Sequence, residues 1–454
     1  MKKRSVDMTK GSIFKHIITF AIPLILTGVL QVLYNVADMV VVGRFSGEDA
    51  LAAVGSTSSA INLIVNVFLG LSSATGVIIS RRFGAKDEKG VETAVHTSIL
   101  TSIIGGFCLM VLGIIIARPL LVAMDSPKEI IDLSVLYMRI YYLGMPAMLF
   151  YNFASAVLRS IGDTKRPMYI LSASGIINVV LNVVFVVGFK RSVDGVAVAT
   201  VVSQVFAAVM VMRLLLKTDE CYKLVWKKLH INPRVFKEIL YLGIPAGIQS
   251  AAFSISNMTI QSSVNSVGPA AMAANAAAQN IDNLTYVAMN SFYHAALTFI
   301  SQNYGAFEFK RMKRGFWTAL FTVMVVGMAL GVVVCIFSRE LLSMFTDNPS
   351  TIELARERIF RITGLYFLCG MMEVGTAGLR ALGMSIFPTA VTILGICGLR
   401  LVIIDMAAPY VVPEDLFPVY NSYAITWVVV LMINVITFAI VKHFKEKEYN
   451  LHKI

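Results

Sequence analysis

Charge is what this sequence lacks. Only 15% of its 454 residues are Asp, Glu, Lys or Arg, while 57% are hydrophobic; a water-soluble domain carries roughly 25% charged residues. A chain this long cannot cover a water-facing surface with so few charges. The mean hydropathy of +0.74 agrees that lipid is the solvent for most of the fold. Cysteine is scarce as well. Cys108, Cys221, Cys335, Cys369 and Cys397 form no C-x-x-C pair, and four of them lie in apolar stretches, which argues against a disulfide framework or a zinc site. There is no G-x-x-x-x-G-K-[ST] loop, so the chain does not drive a pump with ATP by itself. Nor is there an H-E-x-x-H pair, or a G-x-S-x-G element on a plausible loop. The expectation is a protein that is not an enzyme and needs no cofactor.

What is present is a series of long apolar runs. A membrane-spanning helix needs about 20 apolar residues, and twelve runs qualify: 17–43, 51–79, 93–117, 131–158, 168–189, 196–216, 237–265, 270–301, 315–337, 353–379, 387–408 and 419–442. The first follows the basic, polar stretch Met1–Lys15. It is too long for a signal peptide and has no small-residue cleavage motif, so it reads as a span. Twelve spans put both termini on one side. Of the 39 Lys and Arg residues, 28 fall on that side and 6 on the other. The remaining five, Arg139, Arg356, Arg358, Arg361 and Arg400, sit within spans. This imbalance places both termini in the cytoplasm of a multi-pass inner (plasma) membrane protein. It also accounts for the net charge of +12 without nucleic acid as a partner.

The chain repeats itself. Pro23 and Pro245 each follow an isoleucine early in a span, 222 residues apart, and Asn35 and Asn257 keep the same spacing. "RRFGAKDEK" from Arg81 matches "QNYGAFEFK" from Gln302, "RPLL" at Arg118 matches "RELL" at Arg339, and "LRSIGDTKRP" from Leu158 matches "LRALGMSIFP" from Leu379, all offset by 221. Matched Arg, Gly and Pro in matched loops are not explained by the general likeness of apolar helices. Each half therefore holds six spans, an even number, so the halves share one topology and are related by an axis along the membrane normal. Repeats of this kind build transporters whose substrate site lies near the midplane. The expected organisation is a cytoplasmic segment 1–16, an N-lobe 17–216, a cytoplasmic connection 217–236, a C-lobe 237–442 and a cytoplasmic tail 443–454.

Ionisable groups inside spans are expensive and mark function by default. Asp38 stands in span 1, in "LYNVADMVVVGR"; it reads as a carboxylate that exchanges a proton or binds Na⁺, the alternative being a buried structural acceptor. Asn178 and Asn182 lie four apart on one face of span 5, and Thr200 is in span 6. Their oxygens suit a hard cation or a protonated carboxyl, provided that Asp38 lies opposite; if Na⁺ binds, Asp38 and Asn178 are its candidate ligands. Tyr34 and Asn35, just before Asp38, are candidate substrate contacts. In the second half Gln279, Asp282 and His294 lie in span 8, Glu373 in span 10, and Asp405 and Arg400 in span 11. Gln279, Asp282, His294 and Glu373 are further substrate candidates, with Asp282 and Glu373 best suited to an organic cation. His294 is alternatively a packing residue, and Arg400 reads either as functional or as a neutralising partner of Asp405 or Glu373. Pro23 and Pro245 remove backbone hydrogen bonds and are candidate hinges, though a static kink fits equally well. The small-residue run from Gly268 allows close helix packing.

Taken together and in order, these landmarks resemble the multidrug and toxic compound extrusion (MATE) family, from Ile17 to about Val441. The residues that carry the resemblance are Pro23 with "LYNVADMVVVGRFSG", "RRFGAKDEKG", "LRSIGDTKRP", "NVVLN" at Asn178 with "GVAVATVVSQ" at Gly195, "AAQNIDNLTY" at Ala277 and "LRALG" at Leu379. The resemblance implies an all-α integral membrane fold: twelve transmembrane helices in two six-helix bundles related by pseudo-two-fold symmetry, V-shaped with a central cavity. It implies a monomeric antiporter that exports organic cations and amphipathic toxins in exchange for H⁺ or Na⁺ and is surrounded by membrane lipids. It also implies an N-lobe cation site to which Asp38, Asn178 and Thr200 correspond. Asn182 departs from the aspartate of that pattern, which leans the expectation towards H⁺ or towards a differently composed Na⁺ site. No acidic residue lies between Pro245 and Gly268, so a C-lobe site is either absent or carried by Asp282 or Glu373. The competing readings are a lipid-linked precursor flippase of the same superfamily and a non-transporting membrane receptor.

Overall fold

A computed structural model describes residues 5–124, 127, 129–265, 269–346, 348–407 and 417–451. Among them every regular element is helical, as a lipid-embedded backbone requires. The chain divides into two compact units: 1–7 with 26–247, and 8–25 with 248–454. The division falls inside two helices, two residues after Pro23 in α1 (Ile13–Phe45) and two residues after Pro245 in α8 (Pro233–Asn265). It does not fall at the 217–236 connection. Both helices run on through their prolines.

Besides these parts of α1 and α8, the first unit holds α2 (Glu48–Gly84), α3 (Glu88–Ala123), α4 (Ile131–Leu143), α5 (Met145–Ser160), α6 (Lys165–Asn182) and α7 (Val193–Lys217). The expected single span 131–158 is two helices that meet at 47°. Pro146 at the start of α5 has no N–H to carry the helix across the join. α6 widens into a π-helical segment, Val183–Gly188. Gly70 of α2 meets Gly243 and Gly247 of α8 so closely that a Cβ at Gly70 would fall into their backbone. The G-x-x-x-G spacing of Gly243 and Gly247 is what permits that approach.

The second unit holds α9 (Pro269–Gly305), α10 (Phe309–Ile336), α11 (Ser338–Ser343), α12 (Pro349–Arg361), α13 (Tyr366–Ala381), α14 (Ile386–Thr392), α15 (Arg400–Ala407) and α16 (Phe417–Leu451). A π-helical segment, Ile393–Leu399, joins α14 to α15. α13 lies between α9, α10 and α16; Phe316 of α10 stacks on Phe438 of α16 with ring centroids 3.8 Å apart. Gly268, where the small-residue run begins, lies outside the described residues.

Ten described helices or helix pairs are long and apolar enough to cross a membrane, and the bent α4–α5 pair makes eleven. The twelfth expected span is α9, which is 37 residues long but carries Asn275, Gln279, Asn280, Asp282 and Asn283 and so lacks the hydropathy of the others. Large apolar side chains such as Ile115, Val332 and Leu394 are mostly exposed, as lipid-facing positions should be.

The duplication is visible in the backbone. Lys86 and Phe307 both adopt positive φ, 58° and 56°, and so do Gly162 and Gly383, 85° and 89°. Each pair is 221 residues apart. The turn hydrogen bonds repeat with them: Lys86 N–H donates to Phe83 O and Asp87 N–H to Arg82 O, as Phe307 N–H donates to Tyr304 O and Glu308 N–H to Asn303 O. The matched loops of the sequence are thus the same turns built twice.

Candidate functional site

In the first unit, Asp38, Asn178, Asn182 and Thr200 form one polar chain. α6 and α7 are neighbours, and the i, i+4 spacing of Asn178 and Asn182 turns both amides to one side. The Asn182 amide donates to Asp38 Oδ1 and to Asn178 Oδ1, the latter over 3.3 Å. The Asn178 amide donates to Thr200 Oγ1 at 3.4 Å, and the Thr200 hydroxyl donates to Val196 O at 3.0 Å. Asn178 and Asn182 are buried, and Asp38 is half-buried. One acceptor in the cluster is left over, since Asn182 Oδ1 is buried with no partner. The π-helical segment starts at the next residue, Val183, and such segments recur at functional sites.

Tyr34, one turn before Asp38 on α1, packs against α6. Its hydroxyl donates to Ser172 O at 3.0 Å, and its ring lies over Gly175, where any Cβ would collide with it. Asn35 is exposed. Two residues that sequence reasoning missed stand close by on α4: Tyr137, buried and within electrostatic range of Asp38, and Tyr141, whose ring centroid is 6.1 Å from that of Tyr137. Nothing in "YMRIYYL" ties those tyrosines to an aspartate 99 residues earlier; only the packing of the helices does.

The donor set suits a proton or a weakly held monovalent cation. Among the described residues no group of three or more His, Cys, Asp or Glu side chains could hold a metal. One carboxylate with neutral amide and hydroxyl oxygens is what remains around Asp38. The unit also holds a cavity of about 790 Å³ lined by Asp7, Asp87, Glu88, Arg166, Asp219 and Tyr222 among others. None of the Asp38 cluster lines it.

The second unit treats its candidates differently. Asp282 is buried and engaged: Arg358 Nη1 donates to its Oδ2 at 2.6 Å, and the Thr363 hydroxyl donates to Oδ1. Its charge is therefore matched inside the protein, which sets it apart from a carboxylate open to a cationic substrate. This pairing is invisible in the sequence, because Arg358 is 76 residues away. Glu373 is 5% exposed, with no hydrogen-bond or ion-pair partner among the described residues; Tyr286, Cys369 and Arg380 surround it. Gln279 is exposed and His294 half-buried, the latter edge-on to Tyr293 with ring centroids 5.0 Å apart. Arg400 neutralises neither Glu373 nor Asp405 by direct contact among the described residues. It donates to Ser256 Oγ at 3.3 Å and Thr426 Oγ1 at 3.1 Å and lies 4.2 Å from the Tyr423 ring centroid. Position 260, the counterpart of Asp38 at the 222-residue offset, is a buried isoleucine, so the second repeat does not copy the acid.

The MatE family model matches the chain twice, over residues 23–184 and 245–404, and the two matches begin at Pro23 and Pro245. The chain belongs to the MatE family. It is 29% identical to the probable multidrug resistance protein YoeA of Bacillus subtilis over 94% of this chain and 93% of that one. It is 22% identical to an FAD transporter of Shewanella oneidensis over 84% of this chain and 85% of that one. Among solved structures, a MATE protein in complex with MaL6 superimposes with a TM-score of 0.92 at 22% identity, covering 98% of this chain and all of that one. A MOP superfamily transporter from Pyrococcus furiosus gives 0.90 at 21% identity, over 98% and 99%. The MatE chain is a multi-pass membrane protein of two helical bundles, built as a transporter.

Proposed function

We propose that this MatE chain is a secondary antiporter. It exports organic cations and amphipathic drugs by alternating access in exchange for an inward-moving monovalent cation, and it performs no enzymatic reaction. The observation that carries the reading is the Asp38 cluster: a carboxylate within a membrane-spanning helix, held by a relay of two amides and a hydroxyl rather than by a cationic side chain. Keeping such a charge in lipid costs on the order of 3 kcal/mol on insertion scales. An ion pair would offset that cost permanently; a polar relay leaves the carboxylate able to take up a cation and release it.

H⁺ fits the relay better than Na⁺. The Asn182 amide donates to Asp38, which suits the ionised carboxylate. Once Asp38 is protonated its O–H becomes a donor, and the unpartnered Asn182 Oδ1 is the acceptor that a rotated amide presents to it. Na⁺ would instead draw on Asp38, Asn178 and Thr200 oxygens, with a single full charge among them. Pro23 and Pro245 are the hinge positions in this scheme, because α1 carries Asp38 and its unbonded turn lets the helix bend. Tyr34, Asn35, Gln279, His294 and Glu373 are the remaining candidate substrate contacts. Names of relatives range from multidrug resistance protein to FAD transporter, which supports a small-molecule organic cargo. The protein acts as a monomer in the plasma membrane with both termini in the cytoplasm.

The test is dye efflux from proteoliposomes under an imposed pH or Na⁺ gradient. A pH gradient alone is expected to drive export, a protonophore to collapse it, and Na⁺ removal to leave it unchanged. Asp38→Asn is expected to abolish both efflux and the drug resistance conferred on a sensitive host, with expression intact. Full resistance in that variant overturns the assignment.

A further inference from the structure

The connection between α7 and α8 is pinned to α7, to α6 and, for most of its length, to the first part of α3. Leu224 N–H donates to Leu215 O at 3.0 Å and Val225 N–H to His96 Nε2 at 3.1 Å. Thr97 Oγ1 accepts from Asn232 N–H at 3.1 Å and donates to His230 O at 3.4 Å. Lys228 pairs with Glu92 at 2.6 Å. Further back, Tyr222 is buried, and its hydroxyl accepts from Arg166 at 3.1 Å. All of these contacts lie within the first unit. A short 3₁₀ turn, Trp226–Lys228, is thereby held beside His96 and Thr97.

That position corresponds to a particular depth. Between Glu92 and Arg118, α3 has no acidic or basic side chain apart from His96. At a rise of about 1.5 Å per residue, the stretch from Ser98 to Ala117 covers about 30 Å, the thickness of a bilayer's hydrocarbon core. His96 and Thr97 therefore stand at the edge of that core, and the pinned turn stands with them. At this level the Trp226 side chain is 51% exposed and Ile231 37% exposed, while Lys227 and Arg234 are exposed. Lys227 has no carboxylate within ion-pair distance among the described residues. Glu92 is paired with Lys228 and Asp219 with Lys223.

We propose that Trp226 and Lys227 form an interfacial anchor for anionic phospholipid: the indole sits at the boundary of headgroups and acyl chains, and the Lys227 ammonium pairs with a lipid phosphate. A rigidly presented indole beside a lone ammonium matches that layer chemically, apolar on one side and anionic on the other. The leaflet is the cytoplasmic one, which rests on the orientation proposed above. The anchor itself requires only that α3 spans the bilayer.

The full-length protein is reconstituted in phosphatidylcholine vesicles with and without phosphatidylglycerol and exposed to phospholipids carrying a nitroxide at shallow or deep positions. Subtracting the signal of Trp226→Phe from that of the wild type isolates Trp226 and leaves Trp317 and Trp427 in place. The shallow nitroxide is expected to quench Trp226 about twofold more than the deep one, as for an interfacial indole. Phosphatidylglycerol is expected to increase that quenching, and Lys227→Ala to reduce the apparent preference for the anionic lipid about fivefold. Quenching by aqueous acrylamide with none by either nitroxide overturns the anchor, as does a lipid preference that Lys227→Ala leaves intact. A cysteine introduced by Glu446→Cys, labelled with an impermeant thiol reagent from each side and corrected for labelling of the native cysteines in the parent protein, reports orientation separately. Labelling from outside the cell overturns the leaflet assignment through the topology, whereas loss of lipid quenching overturns the anchor with topology untouched.

Discussion

Three carboxylates buried or half-buried in spans are held in three different ways, and their environments predict different responses to neutralisation. Asp38 donates nothing and accepts from one amide. Asp282 is locked to a guanidinium and a hydroxyl. Glu373 has neither. Asp282→Asn leaves Arg358, 3% exposed, without its counter-charge, and breaking a buried pair from one side costs about 3–5 kcal/mol. The expected outcome is a large fall in unfolding temperature in detergent, with little folded protein left to transport anything. Glu373→Gln removes no such partner, so the protein should fold normally and lose affinity for cationic dyes more than for neutral ones; equal losses contradict a role in charge recognition. Asp38 and Glu373 were legible as candidates because an acid in an apolar run is conspicuous. The fate of Asp282 was not legible, since its neighbours come from α12 and the turn that follows it. The proximity of Tyr137 to Asp38 was hidden for the same reason.

At the scale of elements, the sequence announces helices and their ends well but not how they are joined. Residues 131–158 read as one span because both pieces are apolar, yet Pro146 and the preceding Gly144 divide them. The converse holds for α9: its Asn, Gln and Asp residues dilute the hydropathy, but 37 residues of unbroken helix and three helical neighbours, α10, α12 and α13, identify it as a span. The contact of α2 with α8 offers a direct test of helix packing. Gly247→Ala sets a Cβ against the Val67 backbone, whereas Gly55→Ala meets nothing within 4 Å. The first is expected to lower the unfolding temperature and broaden the size-exclusion profile; the second is expected to be neutral or slightly stabilising, since alanine is favoured over glycine within a helix by about 1 kcal/mol. Equal behaviour of the two variants would mean that the close approach contributes nothing to stability.

For the whole molecule, the duplication was the most informative feature of the sequence. Landmarks at a fixed offset foretold turns that have the same backbone signs and the same hydrogen bonds. What an offset cannot foretell is chemistry, because the turns are constrained by backbone geometry and the site is constrained by charge. Lys86 and Phe307 share a conformation without sharing a property, and the counterpart of Asp38 in the second repeat is an isoleucine. That last difference bears on the electrical balance of transport. In the antiport proposed above, a single titrating acid at this place would return one elementary charge to the cell interior per turn, whatever the cargo. A singly charged dye leaving in exchange is then electrically silent. A doubly charged one carries a net positive charge outward, against an interior-negative potential worth about 2.3 kcal/mol per 100 mV. Imposing that potential on proteoliposomes should slow efflux of dicationic dyes and leave monocationic ones unaffected; a uniform response would point to a second ion moving with the first.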